Sequence, residues 1–212
     1  MARITRKRKG SYHHGNLREA ILAAAFRVVD DEGATALTTR NVAERLGVTH
    51  AAIYHHFEDR NAMLAALGEQ ALDSLAQAIT TSQSANALEH FYAMGVAYLN
   101  FSLAHPRLYM AVSGLEVASQ QRHAGLDAAR GRVFAHLRAA IVACQKEGFV
   151  KPGSPEEHTL FCWSAVHGLV SLVAEGQTRQ LDLPSDPKVL GEMILKSIFV
   201  GIATPEAVER NA

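Results

Sequence analysis

A chain of 212 residues with 48% apolar content can bury one sizeable core, or a small domain beside a larger one. It holds no apolar run of about 18 residues, and its start is basic and then amphipathic rather than signal-like, so we expect a cytoplasmic protein that does not enter a membrane. Net charge is zero, yet residues 1–60 carry ten Lys/Arg against seven Asp/Glu while residues 61–212 carry eleven against fourteen; that asymmetry turns a basic end toward an anionic partner.

Residues 1–10 are a block of like charge without apolar periodicity, which reads as a basic arm, disordered alone, either solvated or following the backbone or minor groove of DNA. His13 and His14 are adjacent and cannot share a helix face, so they make a poor metal pair. Asn16 or Gly15 begins a first helix whose Leu17, Ile21, Ala24, Ala25 and Val28 form one apolar stripe, ending near Glu32-Gly33. Thr38-Thr39 offers an N-cap to a short helix, Arg40–Leu46, with Val42, Ala43 and Leu46 on one side. Gly47 stops it, being free to adopt the left-handed conformation of a tight helix end. Thr49 caps a second short helix running to about Phe57. Two short helices joined by a few residues containing Gly make the helix-turn-helix pattern, although the same spacing suits an ordinary helical hairpin.

The second of these helices has two distinct faces. Ile53 and Phe57 point inward with Val48. His50, Ala51, Tyr54 and His55 form an outward stripe with no acid, two kinds of hydrogen-bonding ring and one small residue that permits close approach. Imidazole and hydroxyl groups can bond base edges or phosphates, and a methyl can meet a thymine methyl, so the stripe suits a helix lying in the major groove.

The string Leu37-Thr38-Thr39-Arg40, Leu46-Gly47-Val48, Ile53-Tyr54-His55-His56-Phe57, with Arg60 beyond, resembles the DNA-binding segment of the tetracycline-repressor-like (TetR) family of bacterial transcriptional regulators. The resemblance is close over about 50 residues. It implies that Thr39, Arg40, Tyr54 and Arg60 grip phosphates while Thr49, His50, Ala51 and His55 face the bases, and it gives His56 no definite role. It further implies a C-terminal domain with a cavity for a small effector, and a helix from near Arg60 that links the two parts.

Asp59 caps that helix, which carries Met63, Leu64, Leu67, Ala71 and Leu75. Thr80–Asn86 is polar and reads as a loop. Helical spacing returns over Ala87–Ala104, His105-Pro106 breaks it, and Arg107–Val112 forms a short helix before Ser113-Gly114. From about Val117 to Lys146 a long pattern is weakened at Gly125 and Gly131, so two pieces are possible. Lys151-Pro152-Gly153-Ser154-Pro155 is a turn with Ser154 as cap. Glu156–Glu175 is apolar around most of its circumference and must be covered on several sides. A final helix starts at Pro184-Ser185-Asp186-Pro187. The last two helices suit a four-helix seam with a symmetry mate, built from Phe161, Val166, Ser171, Leu190, Ile194 and Ile198; the alternative is a wholly internal core. Trp163-x-x-x-His167-Gly168 also resembles the WHG-type C-terminal domain of the TetR family.

Cys144 and Cys162 sit in apolar helical stretches and read as buried thiols in a reducing compartment. No nucleophile elbow, phosphate loop, HExxH or paired-Cys zinc pattern occurs, so no catalytic residue, metal or cofactor is expected. Cys162 or Ser164 with His167 would crowd one helix without an oxyanion donor. The expected fold is all-α: a basic arm at 1–10, a helix-turn-helix unit at 11–60, and an effector-binding and dimerisation domain at 61–212. An effector would meet mostly apolar side chains, with Phe101, Tyr109, Phe134, Trp163 and His167 as candidates and His136 as a further polar anchor. The expected function is that of a homodimeric repressor which an effector releases from a palindromic operator. The alternatives are a non-specific DNA binder and a small-molecule-binding protein without DNA activity.

Overall fold

The computed structural model describes residues 17–81, 84–115 and 122–211. The basic arm and the residues up to 16, with the arm's expected DNA contacts and the His13-His14 pair, lie outside them. Ten α-helices carry the described chain, and its β pairing among these residues is one antiparallel bridge, Val150 to Ala203.

Helix α1 (Leu17–Glu32) buries Ile21, Ala25, Val28 and Val29, the inward stripe its spacing dictates. Helix α2 (Thr39–Leu46) is capped by Thr38, whose hydroxyl accepts the Asn41 N–H at 3.0 Å, and closed by Gly47 at φ 65°. Helix α3 (His50–Tyr54) is capped by Thr49, which accepts the Ala52 N–H at 3.3 Å. It ends at Tyr54 rather than near Phe57, because the N–H groups of His56 and Phe57 both converge on the Ile53 carbonyl and tighten the last turn. Phe57 is nevertheless buried with Ile53, so the inward pair is kept.

Helix α4 (Arg60–Thr81) begins where Asp59 accepts the Ala62 N–H at 2.7 Å. It runs through Thr80 and Thr81, which the sequence assigned to a loop; the Thr80 hydroxyl bonds back to the Gln77 carbonyl at 2.9 Å and so needs no turn to satisfy it. Helices α5 (Ala87–Ala104) and α6 (Pro106–Ser113) follow with the break at His105-Pro106 where expected. Helix α7 (Ala124–Lys146) is unbroken through Gly125 and Gly131. At Gly125 the Glu69 carboxylate of α4 occupies the space a Cβ would take, so close approach rather than a break explains that glycine. Helices α8 (Pro155–Ala174) and α9 (Pro187–Ile202) start at Ser154 and Asp186 caps. A tenth helix, α10 (Pro205–Asn211), was not anticipated; Thr204 caps it by accepting the Ala207 N–H at 3.2 Å, and Ala207 is fully buried.

Apolar burial falls into two main clusters. The first joins α1–α4 to Leu108, Val112 and Leu115, and to Leu126 of α7, so it runs past residue 60 into α6 and α7. The second joins Leu99, Ile141 and Cys144 to Val166, Leu169 and Val170 of α8 and to Leu190 and Ile198 of α9. The seam residues Val166, Leu190 and Ile198 are therefore corrected: at 3–7% exposure they face this internal core and cannot meet a second molecule. A helix apolar on every side gives no periodic clue to its inner face, which is why Val166 was assigned to the outer one, while Phe161 of the same expected seam is exposed. The outer surfaces of α8 and α9 instead expose Leu160, Phe161, Leu172, Val189, Met193 and Val200. Ser171 and Ile194 are half-buried between these layers.

Candidate nucleic-acid interface and internal cavity

The outward stripe of α3 stands as the caps and core dictate. His50, Ala51, Tyr54 and His55 are all exposed, with Ile53 completely buried beneath them. The rings of His50 and Tyr54 meet edge-on at 6.1 Å, and the Tyr54 hydroxyl lies 3.4 Å from Thr39 Oγ1. Two expected phosphate contacts, one from each helix, are thus neighbours. Arg40, the next residue of α2, is exposed and pairs with Glu44 one turn on, at 2.8 Å. That pair is exposed, so a phosphate oxygen can displace the carboxylate at little cost. Thr49, expected to face bases, uses its hydroxyl oxygen as the helix cap, which leaves its O–H to donate. His56 is exposed in the turn.

Arg60 stands differently from the other candidates. Its Nη2 donates to the Ala34 carbonyl at 2.7 Å and its Nη1 to Asn61 Oδ1 at 3.1 Å, so it ties the start of α4 to the turn before α2. Arg45 is similarly paired with Glu32, and Arg18 lies over the Phe57 ring at 5.2 Å. These contacts hold the angle between the supporting helices and α3.

A second tie, between α6 and the end of α1, was not legible in the sequence. Arg107 Nη1 donates to the carbonyls of Asp30 at 3.1 Å and Asp31 at 2.5 Å, while His105 Nδ1 lies 3.1 Å from the Asp30 carboxylate. Phe26 packs edge-on against His105 at 5.0 Å. A cation at the carbonyl end of α1 is favoured by the helix dipole and meets carbonyls that have no partner within the helix. Nothing local marks residues 75 or more positions apart as partners.

The helices after residue 60 line a partly open cavity of about 720 Å³, the size of a small-molecule site. Phe101, Tyr109, Phe134, Trp163 and His167 all line it; His136 does not. Most of the wall is apolar. One polar chain crosses it: the Tyr98 and Tyr109 hydroxyls are 3.0 Å apart, and the Tyr109 hydroxyl is 2.5 Å from His167 Nδ1. Tyr98 was not singled out from the sequence, since an aromatic at helical spacing reads as core. Burial pushes the Tyr98 and Tyr109 phenols up from their ordinary range and pushes the His167 imidazole down. All three are therefore neutral near pH 7. Burial also raises the Cys162 thiol, in the same wall, to about 12, so it is protonated and unreactive.

The cavity and the first core share residues. Leu108, Val112 and Leu72 belong to both, and a Cβ placed on Gly68 of α4 would come within 2.6 Å of Val112. A change in the cavity wall thus reaches α4 and α6 through direct packing.

Two family models match the chain. One, described as tetracyclin repressor-like, C-terminal domain, covers residues 91–198; the other, described as bacterial regulatory proteins, tetR family, covers residues 21–67. No curated protein matches. Among solved structures, a Rhodococcus sp. RHA1 protein of unknown function is 28% identical, with a TM-score of 0.77 over 92% of this chain and 100% of its own. A regulatory protein in the tetR family from Rhodococcus RHA1 is 21% identical, with a TM-score of 0.66 over 87% of this chain and 96% of its own. The transcriptional regulator FadR from Bacillus subtilis, solved in complex with stearoyl-CoA, is 16% identical, with a TM-score of 0.68 over 87% and 98%. The last two likenesses are of fold.

Proposed function

The chain belongs to the TetR family of DNA-binding, non-enzymatic transcription regulators, and from that premise we propose that it is a cytoplasmic homodimeric repressor, released from a palindromic operator when a small molecule fills the cavity. Each protomer lays the exposed stripe of α3 in a major groove, with the two half-sites about 34–36 Å apart or a small multiple of that. His50, Ala51 and His55, with the Thr49 hydroxyl, read bases. Thr39, Arg40 and Tyr54 hold phosphates, and Arg60 positions the unit by its bond to Ala34. The basic arm at 1–10 adds backbone contacts.

Residues 11–60 supply the DNA-binding unit and the remainder binds effector and partner. The dimer forms through the outer surfaces of α8 and α9, where six large apolar side chains lie exposed in the protomer. An apolar surface of this extent on two adjacent helices favours a covered face.

One observation carries the regulatory half of the proposal: Leu108 and Val112 of α6 pack in the same core as α1–α4 and also line the cavity. A ligand that prefers a different seating of α6 changes the spacing of the recognition helices through the contact of Val112 with Gly68 of α4 and through the bonds from Arg107 of α6 to the end of α1. It acts only through its differential affinity for the two arrangements, typically about 1–3 kcal/mol. Because the FadR structure of the same fold is a complex with stearoyl-CoA, a hydrophobic effector is a natural expectation for this cavity.

Selection of bound fragments from a random double-stranded DNA pool tests the operator half. Enrichment of a palindrome supports a dimeric specific repressor, and its half-site spacing reports the separation of the two α3 helices. Recovery without a shared motif would replace it with a charge-driven, non-specific binder.

A further inference from the structure

We propose that the cavity takes an uncharged, mainly apolar ligand that presents one hydrogen-bonding oxygen, a hydroxyl or carbonyl, to Nε2 of His167 at the end of the Tyr98–Tyr109–His167 chain. This deepens the reading of the cavity as the effector site and rests on it.

The polar chain is unfilled at its His167 end. Tyr109 sits between two partners, Tyr98 at 3.0 Å and His167 Nδ1 at 2.5 Å, so its hydroxyl both donates and accepts. His167 uses Nδ1 in that bond, while its Nε2 makes no hydrogen bond among the described residues. A neutral imidazole carries one proton. When Tyr109 donates to Nδ1, the proton sits on Nε2 and offers a donor to a carbonyl or ether oxygen. When the chain reverses, Nδ1–H donates to Tyr109 and Nε2 accepts from a ligand hydroxyl. Either orientation is available because both phenols can turn their O–H. The ring itself is held: Trp163 lies tilted over it at 5.2 Å, Tyr109 flanks it at 5.4 Å, and Phe134 meets Trp163 edge-on at 5.3 Å. An anchor fixed by aromatic neighbours loses little freedom when a ligand arrives.

The rest of the wall argues against a charged ligand head. Glu89 and Lys196 line the cavity with opposite signs from exposed positions at its rim. Arg130 also lines it, but its Nη2 donates to the Val112 carbonyl at 2.9 Å and its Nη1 lies 3.7 Å from the Asp127 carboxylate, so its charge is answered within the protein. A carboxylate drawn into the cavity would face two neutral phenols, a neutral imidazole and indole, and would lose its hydration without a dedicated counter-charge. An ammonium would fare no better. A single neutral oxygen on an apolar body needs only what the wall provides.

Trp163 is the one tryptophan in the chain and lies in the cavity wall, so its fluorescence reports occupancy. The test titrates the full chain with four probes of equal length, dodecan-1-ol, dodecan-2-one, dodecanoate and dodecylammonium, reading Trp163 emission and the melting temperature. The alcohol and ketone should bind about tenfold or more tighter than either ion. His167→Phe and, independently, Tyr109→Phe should each weaken the alcohol and ketone about fivefold, while the weak binding of the ions stays as it was. Tyr109→Phe keeps the ring packing, so it remains informative should His167→Phe fail to fold. Tightest binding by dodecanoate, abolished by Arg130→Ala, would overturn the ligand class and leave the cavity as an effector site. Tightest binding by dodecylammonium would do the same. Equal binding of the neutral probes to wild type and both variants would overturn the oxygen anchor. No response of Trp163 or of melting temperature to any probe would overturn the effector-site reading and this proposal with it.

Discussion

Tyr54→Phe separates a phosphate contact from a structural one. Tyr54 is 53% exposed, and its hydroxyl makes only the long 3.4 Å approach to Thr39. Removing that oxygen leaves the ring against His50 and opens no cavity, so the stability of the protein should change by less than about 0.5 kcal/mol. On DNA the lost bond to a charged phosphate is worth about 1.5–3 kcal/mol in each protomer. A symmetric dimer loses it twice, about 3–6 kcal/mol, which is roughly 150-fold or more in operator affinity. The hydroxyl is uncharged, so the dependence of log affinity on log salt should keep its slope. Fluorescence anisotropy with the selected operator and with every single-base variant of one half-site is the assay. All sequences should weaken by the same factor, whereas His50→Ala should change the ranking of bases at one position. A changed base ranking in Tyr54→Phe, or an unchanged one in His50→Ala, would refute the division between phosphate and base contacts.

Other perturbations follow from the same geometry. Gly47→Ala should destabilise the chain by about 1–2 kcal/mol, seen as a lower melting temperature; at φ 65° the cost is purely conformational, because nothing lies within 4 Å of the new Cβ. Leu160→Glu with Val200→Glu should leave the protomer folded and shift the protein to monomer in sedimentation velocity, since these side chains are 61% and 58% exposed. Arg107→Ala should speed hydrogen exchange in the last turn of α1, with a loss of about 1 kcal/mol there. Burial holds the folded pKa of His167 below the 6.5 of the free side chain, so between those values the unfolded chain binds more protons. The stability that depends on a neutral His167 is therefore present above about pH 6.5 and is lost as pH falls below it. Melting temperatures at about pH 7.5 and pH 5 should differ less in His167→Phe than in wild type.

The local grammar of the fold was legible because its signals are local. Thr38, Thr49, Asp59 and Ser154 all cap helices where their side chains precede apolar spacing, and Gly47 and Pro106 act where backbone chemistry requires. The outward stripe of α3 was readable because Ile53 and Phe57 set its inner side. What escaped the sequence is set by partners far along the chain. Arg60 finds Ala34 across 26 positions and Arg107 finds Asp30 across 77. The Tyr98–Tyr109–His167 chain joins three helices, and no spacing distinguishes its tyrosines from packing aromatics. For α8, apolar on every side, only its neighbours decide that Val166 turns in and Leu160 turns out.

The measurement that bears most directly on release by cavity occupancy is a linkage titration. Affinity for the selected operator is measured with and without a saturating cavity ligand, and affinity for that ligand is read from Trp163 with and without operator. A repressor released by its effector predicts that the ligand weakens operator binding about 5- to 150-fold and that the operator weakens ligand binding by the same factor. Saturation of Trp163 with every such ligand, while operator affinity stays unchanged, would contradict any coupling between the cavity and α3.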